Sequence, residues 1–169
     1  MILTRDVILR ELESGRLAVD PLDLDQVGPA SIDLHLGDEI RVPHGDPVPV
    51  AVTDEADCST FTELRRLDAP YRLVPGETIH GITRERLRLP EDVSGWLEGR
   101  SRFARLGLMI HVTSGFVAPG VDSRQVLEMS NVSGRPLDIH PGVRLLQIVL
   151  QRCEGTARYT GRFAGQQRP

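Results

Sequence analysis

Ser31-Ile32-Asp33-Leu34-His35-Leu36 alternates polar and apolar side chains with a period of two. Ile32, Leu34 and Leu36 therefore share one face, as in a strand with one side against a core. Just upstream the period is helical. Over residues 4–14, Val7, Ile8 and Leu12 fall on one face, Thr4 stands where an N-cap belongs, and Gly15 follows where a left-handed C-terminal residue belongs. Downstream, three Pro-Gly pairs, Pro75-Gly76, Pro119-Gly120 and Pro141-Gly142, mark tight turns: Pro presets the first dihedral and Gly takes the positive one. Short apolar runs lie between and after these turns, at Leu108–Val112, Val126–Met129 and Val143–Leu150. Many short strands cut by turns predict an all-β sandwich or barrel with one short N-terminal helix. Residues 43–70, rich in Pro, Asp and Thr, read as an exposed excursion, and Arg158–Pro169 as a mobile tail on a single domain spanning 1–169.

Composition narrows the chemistry. All 20 basic side chains among the 169 residues are Arg, and no Lys occurs. A lysine Schiff base or pyridoxal-phosphate anchor is therefore excluded, as is the Gly-Lys pair of a Walker-A loop. Guanidinium remains, always charged and shaped to grip carboxylate or phosphate through two hydrogen bonds. A net charge of −4 and few aromatics (Trp 1, Tyr 2, Phe 4) argue against a nucleic-acid-binding surface. Cys58 and Cys153 have no CxxC spacing, which fits a reducing cytoplasm. With no signal-peptide pattern and no apolar run long enough to span a bilayer, the expectation is a cytoplasmic protein without a membrane partner.

Two segments could carry chemistry. In Glu98-Gly99-Arg100-Ser101-Arg102-Phe103-Ala104-Arg105-Leu106-Gly107, Ser101 is a candidate N-cap and Arg102 and Arg105 are helical neighbours. Backbone N–H groups and guanidinium together suit a polyphosphate; the alternative is a solvated basic turn whose arginines pair with surface carboxylates. In Val126-Leu127-Glu128-Met129-Ser130, a strand period sets Val126, Glu128 and Ser130 on one face. A carboxylate among apolar neighbours is expected to have a raised pKa, suited to a general base; the alternative is a rim Glu pointing to water. His111 reads as a ligand, a base or, more simply, a core histidine satisfied by the backbone. Neither HxE with PCxxC, nor HExxH, nor GxSxG is present, so zinc deaminase, zincin and serine-hydrolase patterns are absent.

Four ordered blocks go further. Gln26-Val27-Gly28-Pro29-Ala30-Ser31-Ile32-Asp33-Leu34-His35-Leu36-Gly37 closely resembles the early block of the dCTP deaminase family. Glu98-Gly99-Arg100-Ser101 with Ala104-Arg105-Leu106-Gly107-Leu108 resembles its nucleotide-binding segment. His111-Val112-Thr113 and Val126-Leu127-Glu128 follow at similar spacing, and Gly161-Arg162-Phe163-Ala164-Gly165-Gln166 is similar to its closing Gly-Lys-Tyr-Gln-Gly-Gln element. The resemblance implies a trimeric all-β, dUTPase-like distorted barrel with sites between subunits. It implies deamination of dCTP to dUTP without zinc, with Mg²⁺ held by the substrate triphosphate. By the same resemblance, Glu128 would be the general base and acid, with Ser101 and Arg105 beside it. Arg100, Arg102, Phe103, Ala104, Val126, Leu127, Gln147, Tyr159, Arg162 and Gln166 would contact the nucleotide.

The departures are as informative. Where the family shows Ile-Asp-Pro-Gly, this chain has Val117-Ala118-Pro119-Gly120, and Val121-Asp122-Ser123-Arg124 replaces a segment with an aromatic and a Gly. In dUTPases and bifunctional relatives that Asp contacts the deoxyribose and helps position the water attacking the α-phosphate. Ala118 can do neither. The alternatives are thus a dUTP pyrophosphatase or bifunctional deaminase, and a noncatalytic nucleotide-binding module.

Overall fold

The computed structural model describes residues 1–111 and 113–169. Helix α1 (Arg5–Glu13) covers one end of the sheet and buries Ile8 completely, and Gly15 closes it at φ +71°. Thr4 does sit at the N-cap, but its hydroxyl donates to Asp6 Oδ1 at 2.5 Å instead of accepting a backbone N–H. Around the helix end, Arg152 bonds Glu11 Oε1 (2.7 Å) and Asp92 (3.0 Å), and Arg16 bonds the same two carboxylates (2.8 and 2.7 Å).

The strands are β1 (Ala18–Asp20), β2 (Ile32–Pro43), β3 (Thr62–Arg66), β4 (Tyr71–Leu73), β5 (Thr78–Arg88), β6 (Val93–Gly99), β7 (Leu108–Ile110), β8 (Phe116–Val117), β9 (Asp122–Asn131), β10 (Leu137–Ile139) and β11 (Arg144–Arg152). Helix α2 (Ser101–Ala104) is a single turn. The main sheet runs β7-β9-β5-β2-β11-β6-β8, with β1 added on β5 and β3 on β2, while β10 and β4 pair separately. All pairings are antiparallel. The alternating stretch of β2 does what its period requires: Ile32, Leu34 and Leu36 are fully buried. Burying each such side chain contributes about 1.5–3 kcal/mol.

Strand β2 is handed between neighbours. Its first half pairs with β11, and its second half with β5 and β3. A register shift between Leu36 and Ile40 marks the transition, and another in β5 lies between Ile82 and Arg86. Bulges of this kind bend a sheet and increase its twist, so it curls around its own core. Gly81 lies inside that curl. A Cβ there would stand 2.6 Å from Leu36 Cδ1 and 2.9 Å from Met129 Cε, so its absence lets β5 approach both.

All three Pro-Gly turns place Gly at positive φ, between +69° and +81°. The excursion at 43–70 is mostly exposed, as expected, but it returns to the sheet through β3. Its Thr62–Arg66 stretch carries a single apolar residue, the exposed Leu64, so no alternation announces it. The apolar run expected over Leu108–Val112 forms β7 at Leu108–Ile110; Val112 lies outside the described residues.

Candidate active site

Strand β9 builds the centre of the site. Leu127 and Met129 are fully buried, whereas Val126, Glu128 and Ser130 take the opposite, half-buried face. That face opens on a cavity of about 420 Å³. Glu128, Val126 and Gln125 form its floor, His80 and His111 flank the carboxylate, and Val117, Ala118 and Val121 supply an apolar wall.

His111 determines the state of Glu128. Its Nε2 lies 2.8 Å from the Ser114 carbonyl oxygen, which can only accept, so Nε2 carries a proton. Its Nδ1 faces Glu128 Oε2 at 2.8 Å. The approach is short but its angle falls outside hydrogen-bond geometry, leaving both atoms buried without a well-formed partner. The His111 backbone is left-handed at φ +56°, which costs a non-glycine residue of order 1–3 kcal/mol. It is held there by Nε2 and by its own N–H, which donates to the Glu128 carbonyl at 2.8 Å. His111 is buried and backbone-bonded, as a core histidine would be, but it also touches the carboxylate.

The expected raised pKa of Glu128 is overturned. Burial pushes the carboxyl up, but His111 beside it and the more distant His80 outweigh burial and hold it below the ordinary value. A glutamate among apolar neighbours in sequence has basic neighbours in space.

The arginine segment lies elsewhere. Arg100, not Ser101, is the N-cap of α2: its backbone is extended (φ −80°, ψ 135°) and its carbonyl accepts from Phe103 and Ala104 N–H. Ser101 is the first helical residue, and a single turn offers little dipole to an anion. Arg100 pairs with Asp33 at 3.3 Å and donates to the Arg144 carbonyl. Ser101, Arg102, Ala104 and Arg105 are exposed, and Phe103 packs partly on the core. Ala104 borders a second cleft with Trp96, Glu98, Met109, Thr113 and His111, so His111 is common to both cavities. Ser101 and Arg105 line neither. Gln147 accepts from Ser31 Oγ at 2.6 Å on β11.

The tail lies over the Glu128 cavity. Tyr159 N–H donates to the Pro119 carbonyl, Arg124 N–H donates to the Gln166 carbonyl, and Tyr159, Phe163 and Gln166 all line the space. Arg162 remains exposed, 3.9 Å from Asp57. Among the described residues, no group of three or more His, Cys, Asp or Glu side chains is placed to hold a metal ion. Among the described residues, no helix is long and apolar enough to cross a membrane.

Residues 2–153 match the family model described as dCTP deaminase-like. The chain belongs to the dCTP deaminase-like family. It is 36% identical over its whole length to a Nocardioides protein named "dCTP deaminase, dUMP-forming", covering 93% of that protein. It is 39% identical to a Parafrankia protein of the same name, covering 88% of it. Among solved structures it is similar to 2′-deoxycytidine 5′-triphosphate deaminase from Agrobacterium tumefaciens, with a TM-score of 0.70 and 26% identity over 89% of this chain. It spans about half, 48%, of that chain's length. A dUTPase from EIAV, 17% identical with a TM-score of 0.52, shares the fold. The expected all-β, dUTPase-like architecture is therefore what the chain adopts.

Within this family member, the structure brings Glu128, Val126, Tyr159 and Gln166 to one cavity and leaves Ser101, Arg102, Arg105 and Gln147 apart from it. Leu127 is fully buried, so only its backbone is open to a ligand. Sequence reasoning passed over His80 and Cys58, which also line the cavity. Strand pairing alone brings them there, and no local spacing signals it.

Proposed function

We propose that this protein hydrolytically deaminates dCTP, with Glu128 as the base. The observation that carries this reading is the half-buried Glu128 carboxylate, flanked by two histidines at the floor of a cavity of about 420 Å³. Glu128 takes a proton from water as the oxygen adds to cytosine C4. It passes that proton to N3, then takes the second proton from the new C4 hydroxyl and hands it to the amino group as the C4–N bond breaks, so that dCTP and water become dUTP and ammonia. General acid–base help of this kind contributes about 10²–10⁴-fold. Val126 and Gln125 border the base, Tyr159 and Gln166 close over it with the tail, and Leu127 offers backbone only. Mg²⁺ enters with the triphosphate, as part of the substrate.

The same proposal includes a homotrimer with sites between subunits, in a cytoplasmic setting. Ser101 and Arg105 stand apart from the Glu128 cavity in one chain, which supports their serving the site of a neighbouring copy, with Arg100, Arg102, Phe103, Ala104, Gln147 and Arg162 on the triphosphate side. The exposed pair Trp96 and Phe116, with ring centroids 5.1 Å apart, supports an apolar contact face.

Two observations pull the product in different directions. Ala118 puts a methyl on the cavity wall where bifunctional relatives carry an aspartate, which supports release of dUTP. The Nocardioides and Parafrankia relatives are named dUMP-forming, which supports further hydrolysis to dUMP. One experiment decides among these outcomes: incubation with dCTP and Mg²⁺ while ammonia, dUTP, dUMP and pyrophosphate are quantified. Ammonia with dUTP supports the first reading, and ammonia with dUMP and pyrophosphate the second. Tight nucleotide binding by calorimetry without any product would leave a binding module and sink both.

A further inference from the structure

Glu128 is one member of a polar row that crosses the sheet. Antiparallel pairing sets Arg41 of β2 opposite His80 of β5, and His80 opposite Glu128 of β9. Beyond β9, the His111 N–H bonds the Glu128 carbonyl. Directly opposed residues of antiparallel strands project to the same face, with Cβ atoms about 4.5–5.5 Å apart. Arg41, His80, Glu128 and His111 thus succeed one another across four neighbouring segments, and the last three line the cavity.

His111 is accounted for by its bond to Ser114. His80 has no such tie among the described residues. It lies in the middle of a core strand between buried Ile79 and Gly81, where a polar ring is costly to bury unless it interacts with something. Its cross-strand neighbours are a carboxylate on one side and a guanidinium on the other.

We propose that His80 is a positioning residue for Glu128. Neutral, its ring borders the carboxylate from the β5 side and leaves it free to take a proton from water. Protonated, it forms an ion pair with the carboxylate and takes it out of service. This rests on the reading of Glu128 as the base of the proposed deamination.

The surroundings favour the neutral ring near pH 7. Burial pushes the His80 pKa down, Glu128 pulls it back up and Arg41 pushes it further down, with the net below the ordinary histidine value. The other polar groups around the cavity include His111, the Cys58 thiol, the Tyr159 phenol, Arg124 and Pro169, whose oxygen accepts from Arg41 Nε at 2.6 Å. Glu39, two residues from Arg41 along β2, is turned to Arg168 of the tail at 3.5 Å, and Asp57 faces Arg162. Glu128 is thus the carboxylate directly opposite His80. With His80 set directly against the carboxylate, the proposal assigns the acid limb of activity to the histidine.

The test compares kcat and KM for dCTP between about pH 5 and 9 in the full-length protein, His80→Gln and His80→Leu. Removing the histidine leaves Glu128 protonation as the acid limb, so the limb should move down by about one to two pH units, the gap between the two side-chain types. Plateau kcat should fall by about three- to tenfold while KM hardly changes, as when a group that orients the base is lost. An acid limb that stays in place or moves up in His80→Gln overturns the proposal, and that conservative variant decides the matter if His80→Leu does not fold.

A second readout needs no turnover. NMR titration of the His80 ring in the unmodified protein and in Glu128→Gln should show its pKa falling by roughly half to one unit when the carboxylate charge is removed. An unchanged His80 titration refutes the pairing itself. A protein that fails to deaminate dCTP while the titrations remain coupled refutes the job given to Glu128, so the two failures can be told apart.

Discussion

Nδ1 of His111 lies 2.8 Å from Oε2 of Glu128, while the opposite ring nitrogen is committed to the Ser114 carbonyl. The two atoms are close and buried but do not align as a hydrogen bond, so the ring acts on the carboxylate by proximity and charge and holds its pKa below the ordinary value. Replacing His111 with Asn should raise the Glu128 carboxyl pKa, because burial, which pushes it up, would lose its strongest opponent. Titration of the Glu128 side-chain carbonyl carbon by NMR measures this; a fall or no change would show that His111 does not control the carboxylate. Glu128→Gln should lower deamination by about 10²–10⁴-fold while nucleotide affinity changes little.

Ala118 bears on whether dUTP, the proposed product, is hydrolysed further. It belongs to the apolar wall of the Glu128 cavity, next to Val117 and Val121, with no carboxylate of its own to direct a second water. Introducing one by Ala118→Asp should raise the proportion of dUMP and pyrophosphate formed from dUTP by at least about tenfold, within the usual range for a positioned general base. Chromatographic separation of dUTP and dUMP over time reads the ratio. An unchanged ratio would mean that phosphorus attack in this protein is limited elsewhere.

The charge cluster at the end of α1 should show its contribution through pH. Burial pushes Glu11 and Asp92 up, but Arg152 and Arg16 outweigh it and hold both carboxyls below their ordinary values of 4.5 and 3.8. A depressed folded pKa contributes stability that is complete above the unfolded value and disappears as pH falls through the folded one. Glu11→Gln should therefore lower Tm by about 2–4 °C at pH 7. The difference should shrink progressively below about pH 4.5. Thermal melts at pH 7, 5 and 3 check this; a Tm difference independent of pH would assign the effect to packing.

What could be read from the chain alone divides along local and nonlocal lines. The period of Ile32, Leu34 and Leu36, the face of α1 and the three Pro-Gly turns are properties of a few consecutive residues, and each appears where the spacing placed it. Ser101 missed its cap position by one residue, because the Arg100 carbonyl opens the turn and cap assignment depends on backbone geometry at single-residue resolution. His80 and His111 were illegible as a pair: 48 to 17 positions from Glu128, they meet it only through the register of β5 and the turn after β7. The same distance effect reversed the expected Glu128 pKa. The basic-turn alternative fits Arg100 as the chain stands, since its guanidinium is engaged by Asp33.

The proposed homotrimer needs a contact face. Trp96 and Phe116 face each other across the β6–β8 pairing and remain about half exposed, at 45% and 51%, with Met109 on the neighbouring cleft. Aromatic side chains of this size supply much of the energy of protein interfaces when covered. Trp96→Glu places a charge in the middle of that patch without touching the buried core, so the fold should survive while the contact is lost. Light scattering should then report a shift from trimer toward monomer, with an unchanged far-UV circular dichroism spectrum. Deamination should fall with it, because Ser101 and Arg105 would no longer reach a neighbour's Glu128 cavity. A variant that remains trimeric would move the interface to another face. A fully active monomer would require each chain to bring its own α2 to its own Glu128, and the proposed intersubunit site would have to be abandoned.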